Sequence, residues 1–272
     1  MIAIVTDSSV GYSAAEISDR GIVTEVPLNY RLRGKNYEEK TSDKNGKFIP
    51  LEAPFGTAQP ALNNFIRTFS SLVSKGCDVI CIVLSSSLSG TYSSAKFAAT
   101  QVGGNIYVLD SHTIGDGMHL LVDEAVNLVK AGVEFNKAVK ILEKLKNNIG
   151  IVFTVETLEN LQSGGRLITK KAKTNLNFRP VFEMKYKIVF KDNTRGVRER
   201  LEEMIALIPE NSRRIIVSRC GEETDVSEFT RMIKERFPSV YIHQRVVGPV
   251  LSIHVGEGAF GVAYIVNADV RG

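Results

Sequence analysis

The sequence predicts an α/β protein of two domains, a three-layer α/β/α domain on a parallel sheet followed by a two-layer α/β domain on a mixed sheet. Three observations carry this expectation. Apolar runs at 2–5, 79–84 and 106–109 each lead into a polar loop rich in Ser, Asp or Gly, and then into a helical pattern. Short apolar runs bounded by turn formers suit strands buried on both faces. Strands alternating with helices imply parallel pairing through right-handed crossovers, which sends the polar loops to one sheet edge, where open α/β sheets bind ligands. Beyond residue 149 the strands and helices alternate less regularly, hence the mixed sheet.

Taken in order, Ile2-Ala3-Ile4-Val5 opens the first unit and Thr6-Asp7-Ser8-Ser9 is its loop. Residues 28–56 are polar, with Arg31-Leu32-Arg33-Gly34-Lys35 and Ser42-Asp43-Lys44-Asn45-Gly46, and read as a long surface connection or flap. A helix is expected over 61–74. The second strand, 79–84, meets a Ser-rich loop at 85–89, Gly90 and a helix near 92–100. The third, 106–109, meets Asp110-Ser111-His112-Thr113, Gly115 and Gly117, then a helix over 120–130. Phe135, Ala138, Val139, Leu142 and Leu145 recur at helical spacing until Asn147-Asn148 and Gly150 stop the pattern. The expected boundary therefore falls between domains 1–149 and 150–272. The second half reads as a strand at 151–155, a helix over 157–162 closed by Ser163-Gly164-Gly165, strands at 187–190 and 215–218, a helix over 226–237, and strands at 240–247 and 260–266.

Composition narrows the function classes. At 272 residues, 43% hydrophobic and 24% charged, the chain is an ordinary globular one. The net charge of +4 admits an anionic ligand, but the basic residues are scattered, which argues against nucleic acid. Three cysteines form no CxxC pair and four histidines no ligand-spaced cluster, so neither a disulfide framework nor a metal is expected. Met1 runs straight into an apolar strand without a signal-peptide pattern, and no apolar run approaches the roughly 18 residues of a membrane span. The expected location is the cytoplasm.

Several motifs are read against their plainer meanings. Gly256-Glu257-Gly258-Ala259-Phe260-Gly261 spells the dinucleotide pattern, but a β-rich run follows where a helix should open. There is no phosphate-loop pattern and no nucleophile elbow. The run Ser85-Ser86-Ser87-Leu88-Ser89-Gly90-Thr91-Tyr92 could be simple helix capping; its density of hydroxyls around one glycine favours an anion cradle at a helix start. Thr57-Ala58-Gln59-Pro60 alone would be a turn before a helix, Arg166 an exposed turn residue, and His254 a strand histidine bonded to backbone.

Together, Thr6-Asp7-Ser8-Ser9, Thr57-Ala58-Gln59-Pro60, Leu88-Ser89-Gly90-Thr91-Tyr92, Leu109-Asp110-Ser111, Leu158-Glu159-Asn160-Leu161-Gln162-Ser163-Gly164-Gly165-Arg166 and the segment from Gly248-Pro249 through His254 to Gly261 resemble the DegV family over nearly the whole chain. The resemblance implies a non-enzymatic bacterial lipid-binding protein with a long-chain fatty acid between two α/β domains, no cofactor, and in some members a role as the lipid-carrying subunit of a fatty acid kinase whose catalytic subunit is a separate chain. It places the head-group threonine at Thr57, the serine at Ser89, the arginine at Arg166 and the histidine at His254, with Ser8 and Gly90 completing the expected ligand set. The chain departs from the family at Ala58, where Ser is usual, at the basic segment 167–177, at Lys185-Tyr186, where Asp-Gly is common, and at Ser252, Ile253 and Glu257. Those departures keep a second expectation open, a binder or enzyme for a small phosphorylated or carboxylated metabolite.

Overall fold

The computed structural model describes residues 1–40, 55–167, 169, 171–175 and 177–267. Its first sheet comprises β1 (Ile2–Asp7), β2 (Val23–Val26), β6 (Asp78–Val83) and β7 (Ile106–Asp110), all parallel, in the order β2-β1-β6-β7. Side chains alternate along a strand, so β6 serves two cores. Val79, Cys81 and Val83 pack under α2 (Leu62–Val73) and α3 (Thr91–Val102), with Phe65, Phe69, Ala95 and Ala98. Ile80 and Ile82 face the other way, towards α4 (Gly115–Lys130) and α5 (Phe135–Leu145). This is the three-layer arrangement expected of the first half. The short helix α1 (Ala14–Arg20) joins β1 to β2 and opens with a capping box between Ser13 and Glu16.

The second sheet is mixed and six-stranded, in the order β10-β9-β8-β13-β11-β12. Its members are β8 (Ile149–Thr154), β9 (Arg179–Lys185), β10 (Lys187–Thr194), β11 (Ser212–Arg219), β12 (Ile242–Val246) and β13 (Phe260–Val266). One face carries Ile215, Val217, Val262 and Tyr264 against α7 (Gly196–Ala206) and α8 (Ser227–Arg236). The opposite face carries Ile151, Ile216, Ala263 and Ile265, which join the α4 core of the first half. Helix α4 thus lies between the two sheets, in contact with β1 and β6 on one side and β8 and β13 on the other. Gly117 makes the approach possible, since a Cβ there would sit 2.1 Å from Thr113 Oγ1 and 3.1 Å from Ile151 Cδ1.

Besides α1, β2 and α7, which the sequence reading did not name, several stretches differ from it. The polar connection contains an antiparallel sheet of β3 (Asn29–Leu32), β4 (Lys35–Glu38) and β5 (Phe55–Ala58), in the order β4-β3-β5. Its first hairpin turns on Arg33 and Gly34, both left-handed, as the favoured two-residue turns require. The Ser42-to-Gly46 run lies outside the described residues. Helix α4 begins at Gly115, before the apolar periodicity, because its two glycines are poor helix formers kept by close packing. Strand β9 escaped the reading because Pro180 and Glu183 interrupt its apolar run; Glu183 is buried, satisfied by Lys185, Lys191 and the Tyr264 hydroxyl. Helix α6 (Glu159–Ser163) falls where a helix was expected, but α9 (Pro249–Val255) makes His254 a helical residue, not a strand residue. Its amide at Val250 donates to Glu39 Oε1 at 2.9 Å.

A core shared by both sheets should unfold as one unit. Leu121→Ala, at a fully buried α4 position, is expected to cost about 2–5 kcal/mol. Far-ultraviolet dichroism and intrinsic tyrosine fluorescence should follow one shifted urea transition; two separate transitions would contradict the shared core.

Candidate functional site

The loops at the carboxyl ends of β1 and β6 meet α6, α9 and the face of β8 around a cavity of about 500 Å³, within the roughly 300–1,000 Å³ usual for small-molecule sites. Thr57, Ser89, Gly90, Arg166 and His254 all line it. Residues nearly 200 positions apart therefore converge: Thr57 Oγ1 and His254 Nε2 are 2.8 Å apart.

Each of these side chains has a local reason for its place. Thr57 pairs across β3 with Tyr30, which fixes its direction. His254 sits in the last turn of α9. Burial, and secondarily the Arg166 charge, pull its pKa from 6.5 to about 4, so the ring is neutral at physiological pH. Arg166 follows the glycine pair that ends α6, and its Nη1 donates to the Gly164 carbonyl at 2.6 Å. A side chain at 164 would collide with Arg166 Nη1 (2.6 Å from the added Cβ) and crowd His254 Nδ1 (3.2 Å). Half-buried Arg166 has its pKa lowered by burial, and no acidic side chain among the described residues forms an ion pair with it. Ser89 Oγ accepts the Thr91 amide at 3.3 Å and shares a proton with Thr91 Oγ1 at 2.9 Å. It therefore accepts the first amide of α3, just ahead of the Gly90 N-cap, and also lines the cavity. Gly90 makes room for Gln59, whose Oε1 would lie 2.1 Å from an added Cβ; Gln59 Nε2 donates to Ser94 Oγ at 2.8 Å, tying the end of β5 to α3.

Two expectations are corrected. Ser8 is not in the lining. Its buried hydroxyl donates to Glu39 Oε2 at 2.6 Å and accepts the Leu28 amide at 2.9 Å, while Ser9 lines the cavity instead. The Ser-rich loop is also not a cradle of free hydroxyls. Ser85 and Ser87 both donate to the Tyr186 carbonyl at the tip of the β9–β10 hairpin, Ser85 at 2.5 Å. Of the hydroxyls in that loop, Ser89 is the one in the cavity wall among the described residues. Asp7, buried beneath it, accepts the Ser9 and Leu84 amides; burial raises its pKa to about 6, against those hydrogen bonds.

The rest of the lining is mostly apolar. Ile151, Phe153, Met184 and Ile188 form a floor on the second sheet, with Leu88, Leu251 and Val255 above. Of the described residues in the basic segment, Leu167 and Ala172 are buried with Leu158, Leu161 and Phe182, while Lys171 and Lys173 are exposed. Ala58, without the family's hydroxyl, lines the cavity beside Thr57. The sequence reading overlooked Gln59 as a brace and the floor residues, whose apolar character looks like any core. Among the described residues no His, Cys, Asp or Glu group could hold a metal, and no helix is long and apolar enough to cross a membrane.

The neutral state of His254 has a consequence for stability. Unfolded, the ring takes up its proton near 6.5; folded, only near 4. Stability present above pH 6.5 is therefore lost as pH falls towards 4, because the unfolded chain binds the extra proton. Urea midpoints measured across that window should fall more steeply for the native chain than for His254→Gln. Equal slopes would show that the ring is not held neutral.

Comparisons with known proteins match the sequence and the overall fold. The sequence profile described as "Uncharacterised protein, DegV family" covers residues 1–267. A DegV domain-containing protein of Streptococcus pyogenes is 32% identical, over 96% of this chain and 97% of its own length. The crystal structure of DegV, a fatty acid binding protein from Bacillus subtilis, superposes with a TM-score of 0.80 at 27% identity, covering 98% of this chain and 99% of that one. The fatty acid kinase B3 protein of Streptococcus pneumoniae, solved loaded with linoleic acid, gives 0.83 at 20% identity, with 98% and 100% covered.

Proposed function

The chain belongs to the DegV family, and from that membership we propose that it binds a long-chain fatty acid in the cavity between its sheets, as a carrier without catalysis of its own. The carboxylate is held by Thr57 and Ser89, with Arg166 and His254 beside it and the Gly90 backbone at the helix start. Halves 1–149 and 150–272 act as the two domains that close on the ligand, in the cytoplasm.

The observation that carries this reading is Arg166, a half-buried cation without an acidic partner among the described residues, at one end of an apolar cavity. An unpaired buried charge is costly, and a ligand carboxylate would compensate it. Hydrogen bonds to a charged group contribute about 1.5–3 kcal/mol each. Each buried methylene adds about 0.8 kcal/mol, so a long chain supplies most of the affinity and the head-group residues supply the orientation.

The pair of Thr57 and His254 also has the form of a nucleophile and base, which is the specific support for an enzyme acting on a small carboxylated metabolite. The electrostatics weigh against it. A ring held neutral down to about pH 4 is a poor proton acceptor, and its neighbour is a cation, not an orienting carboxylate. Presentation of the carboxylate to a separate fatty acid kinase subunit fits the same geometry, Ser89 and Arg166 lying on loops and Thr57 and His254 near the ends of β5 and α9.

Mass spectrometry of an organic extract from the purified, denatured protein should find a long-chain fatty acid near one per chain; an empty extract together with no uptake of a fluorescent acyl probe rejects the reading. Ser89→Ala should weaken acyl binding by about 1–3 kcal/mol. A loss confined to thermal stability, near 1 kcal/mol, would leave Ser89 as a cap alone.

A further inference from the structure

Among the described residues lining the cavity, Asp116 is the one acidic side chain. It stands in the first turn of α4 and faces the second sheet at Ser218, whose hydroxyl donates to Asp116 Oδ2. Ser218 pairs with Gly261, and Gly261 with Phe153, so this polar spot lies two strands across from the apolar floor, on the same sheet face. Gly261 leaves the floor between them bare; a Cβ there would sit 2.8 Å from both Phe153 Cβ and the Val152 carbonyl. On its far side Asp116 Oδ1 accepts Arg245 Nε at 3.1 Å. That guanidinium is otherwise committed to Glu16 at 2.7 Å and to the Gly11 carbonyl, and Ser218 has no second hydroxyl proton to give.

A carboxylate offers about four lone-pair sites, and Asp116 has two donors. Lying in the wall of a cavity whose lining is mostly apolar, it would lose its remaining contact with water to a plain methylene chain with nothing in exchange. A hydroxyl on the chain would donate to it. We propose that this cavity selects acyl chains that carry a hydroxyl group, with Asp116 as the acceptor that recognises it. The inference rests on the fatty-acid reading above and adds to it the substrate class: a hydroxylated fatty acid, its carboxylate at the Thr57–Ser89 end and its hydroxyl at the Asp116–Ser218 end. Ser218 is a positioning residue that fixes the rotamer of Asp116 and leaves its remaining lone pairs towards the cavity.

The test is direct titration of the delipidated chain with stearate and with a series of its monohydroxylated forms, differing in hydroxyl position. At least one hydroxylated form should bind about tenfold more tightly than stearate, the yield of one hydrogen bond to a charged acceptor. Asp116→Asn should bring that form towards parity while stearate binds as well as before or better. Ser218→Ala, which keeps the carboxylate and frees one of its sites, should retain the preference and so guards against a variant that merely folds poorly. Equal affinity for stearate and every hydroxylated form in the native chain overturns the proposal, as does a preference that survives Asp116→Asn. If stearate binds and no preference exists, the carrier reading stands and this inference fails. If no acyl chain binds at all, both fail.

Discussion

Helix α4 has to satisfy two sheets at once, and most of the architecture follows from that constraint. An ordinary surface helix buries one stripe; α4 buries Met118, His119, Leu120, Leu121, Val122, Ala125 and Val126, covering most of its circumference. Such a helix is stable only where apolar surface exists on both sides. The parallel sheet supplies Ile4, Ile80 and Ile82, and the mixed sheet supplies Ile149, Ile216, Ala263 and Ile265. The cavity sits where this packing ends. Ile114, Gly115 and Asp116 at the α4 N-terminus line it, and Gly117 beside them is packed too closely against Thr113 and Ile151 to carry a side chain.

Dispersion and burial do not fix direction, and the polar groups on the same helix do. Asp123 accepts from the Tyr12 hydroxyl at 2.9 Å, Arg20 Nε at 3.0 Å and Arg214 Nη2 at 2.7 Å, so α1, α4 and β11 meet in one orientation. Burial alone would raise the Asp123 pKa, but the Arg214 and Arg20 guanidinium groups that donate to it carry it below the usual carboxylate range. Buried His119, against the Tyr12 ring, is held neutral by burial and by Arg245. Removing one partner of such a network leaves a stranded charge, typically 3–5 kcal/mol, whereas the intact network adds little net stability. What it does fix is direction, since Asp123 on α4 is bonded to α1 through Arg20 and to β11 through Arg214.

How far the sequence revealed this depends on the kind of signal each residue carries. Three of the four strands of the parallel sheet were legible because burial on both faces writes an unbroken apolar run, as in Val79 to Leu84; β2, with Thr24 and Glu25 at its centre, carries no such run. The apolar stripe of α5 and the helix α2 were legible from periodicity. Strand β9 was not, since Glu183 breaks the run and is neutralised by Lys185, Lys191 and Tyr264, partners that only the fold brings near. Thr57, Ser89, Arg166 and His254 could be named through resemblance, and the structure gathers them in one cavity. Ser8 carried the same motif signal as its neighbours, but one residue decides which side of a turn a hydroxyl faces: Ser9 reaches the cavity and Ser8 is spent on Glu39. Asp116 had no sequence signature at all. A carboxylate in the first turn of a helix is ordinary, and only its placement over Ser218 and the cavity distinguishes it.

The departure at Lys185-Tyr186 shows how a family turn can be rebuilt without glycine. Tyr186 takes a left-handed conformation, φ 65°, which costs a bulky residue roughly 1–2 kcal/mol. In exchange its amide donates to the His112 carbonyl at 2.8 Å, its carbonyl receives the Ser85 and Ser87 hydroxyls, and its ring meets His112 edge-on at 4.8 Å. These bonds join the tip of the β9–β10 hairpin to loops of the parallel sheet, across the line between the two halves. The hydroxyls that looked like an anion cradle thus serve as a clasp. Met184 and Ile188, on either side of that tip, are floor residues of the cavity, so the clasp holds the floor against the head-group loops. A lipid site needs this more than it needs extra donors, because its affinity scales with apolar surface kept from water, and a hairpin free to lift would return that surface to solvent.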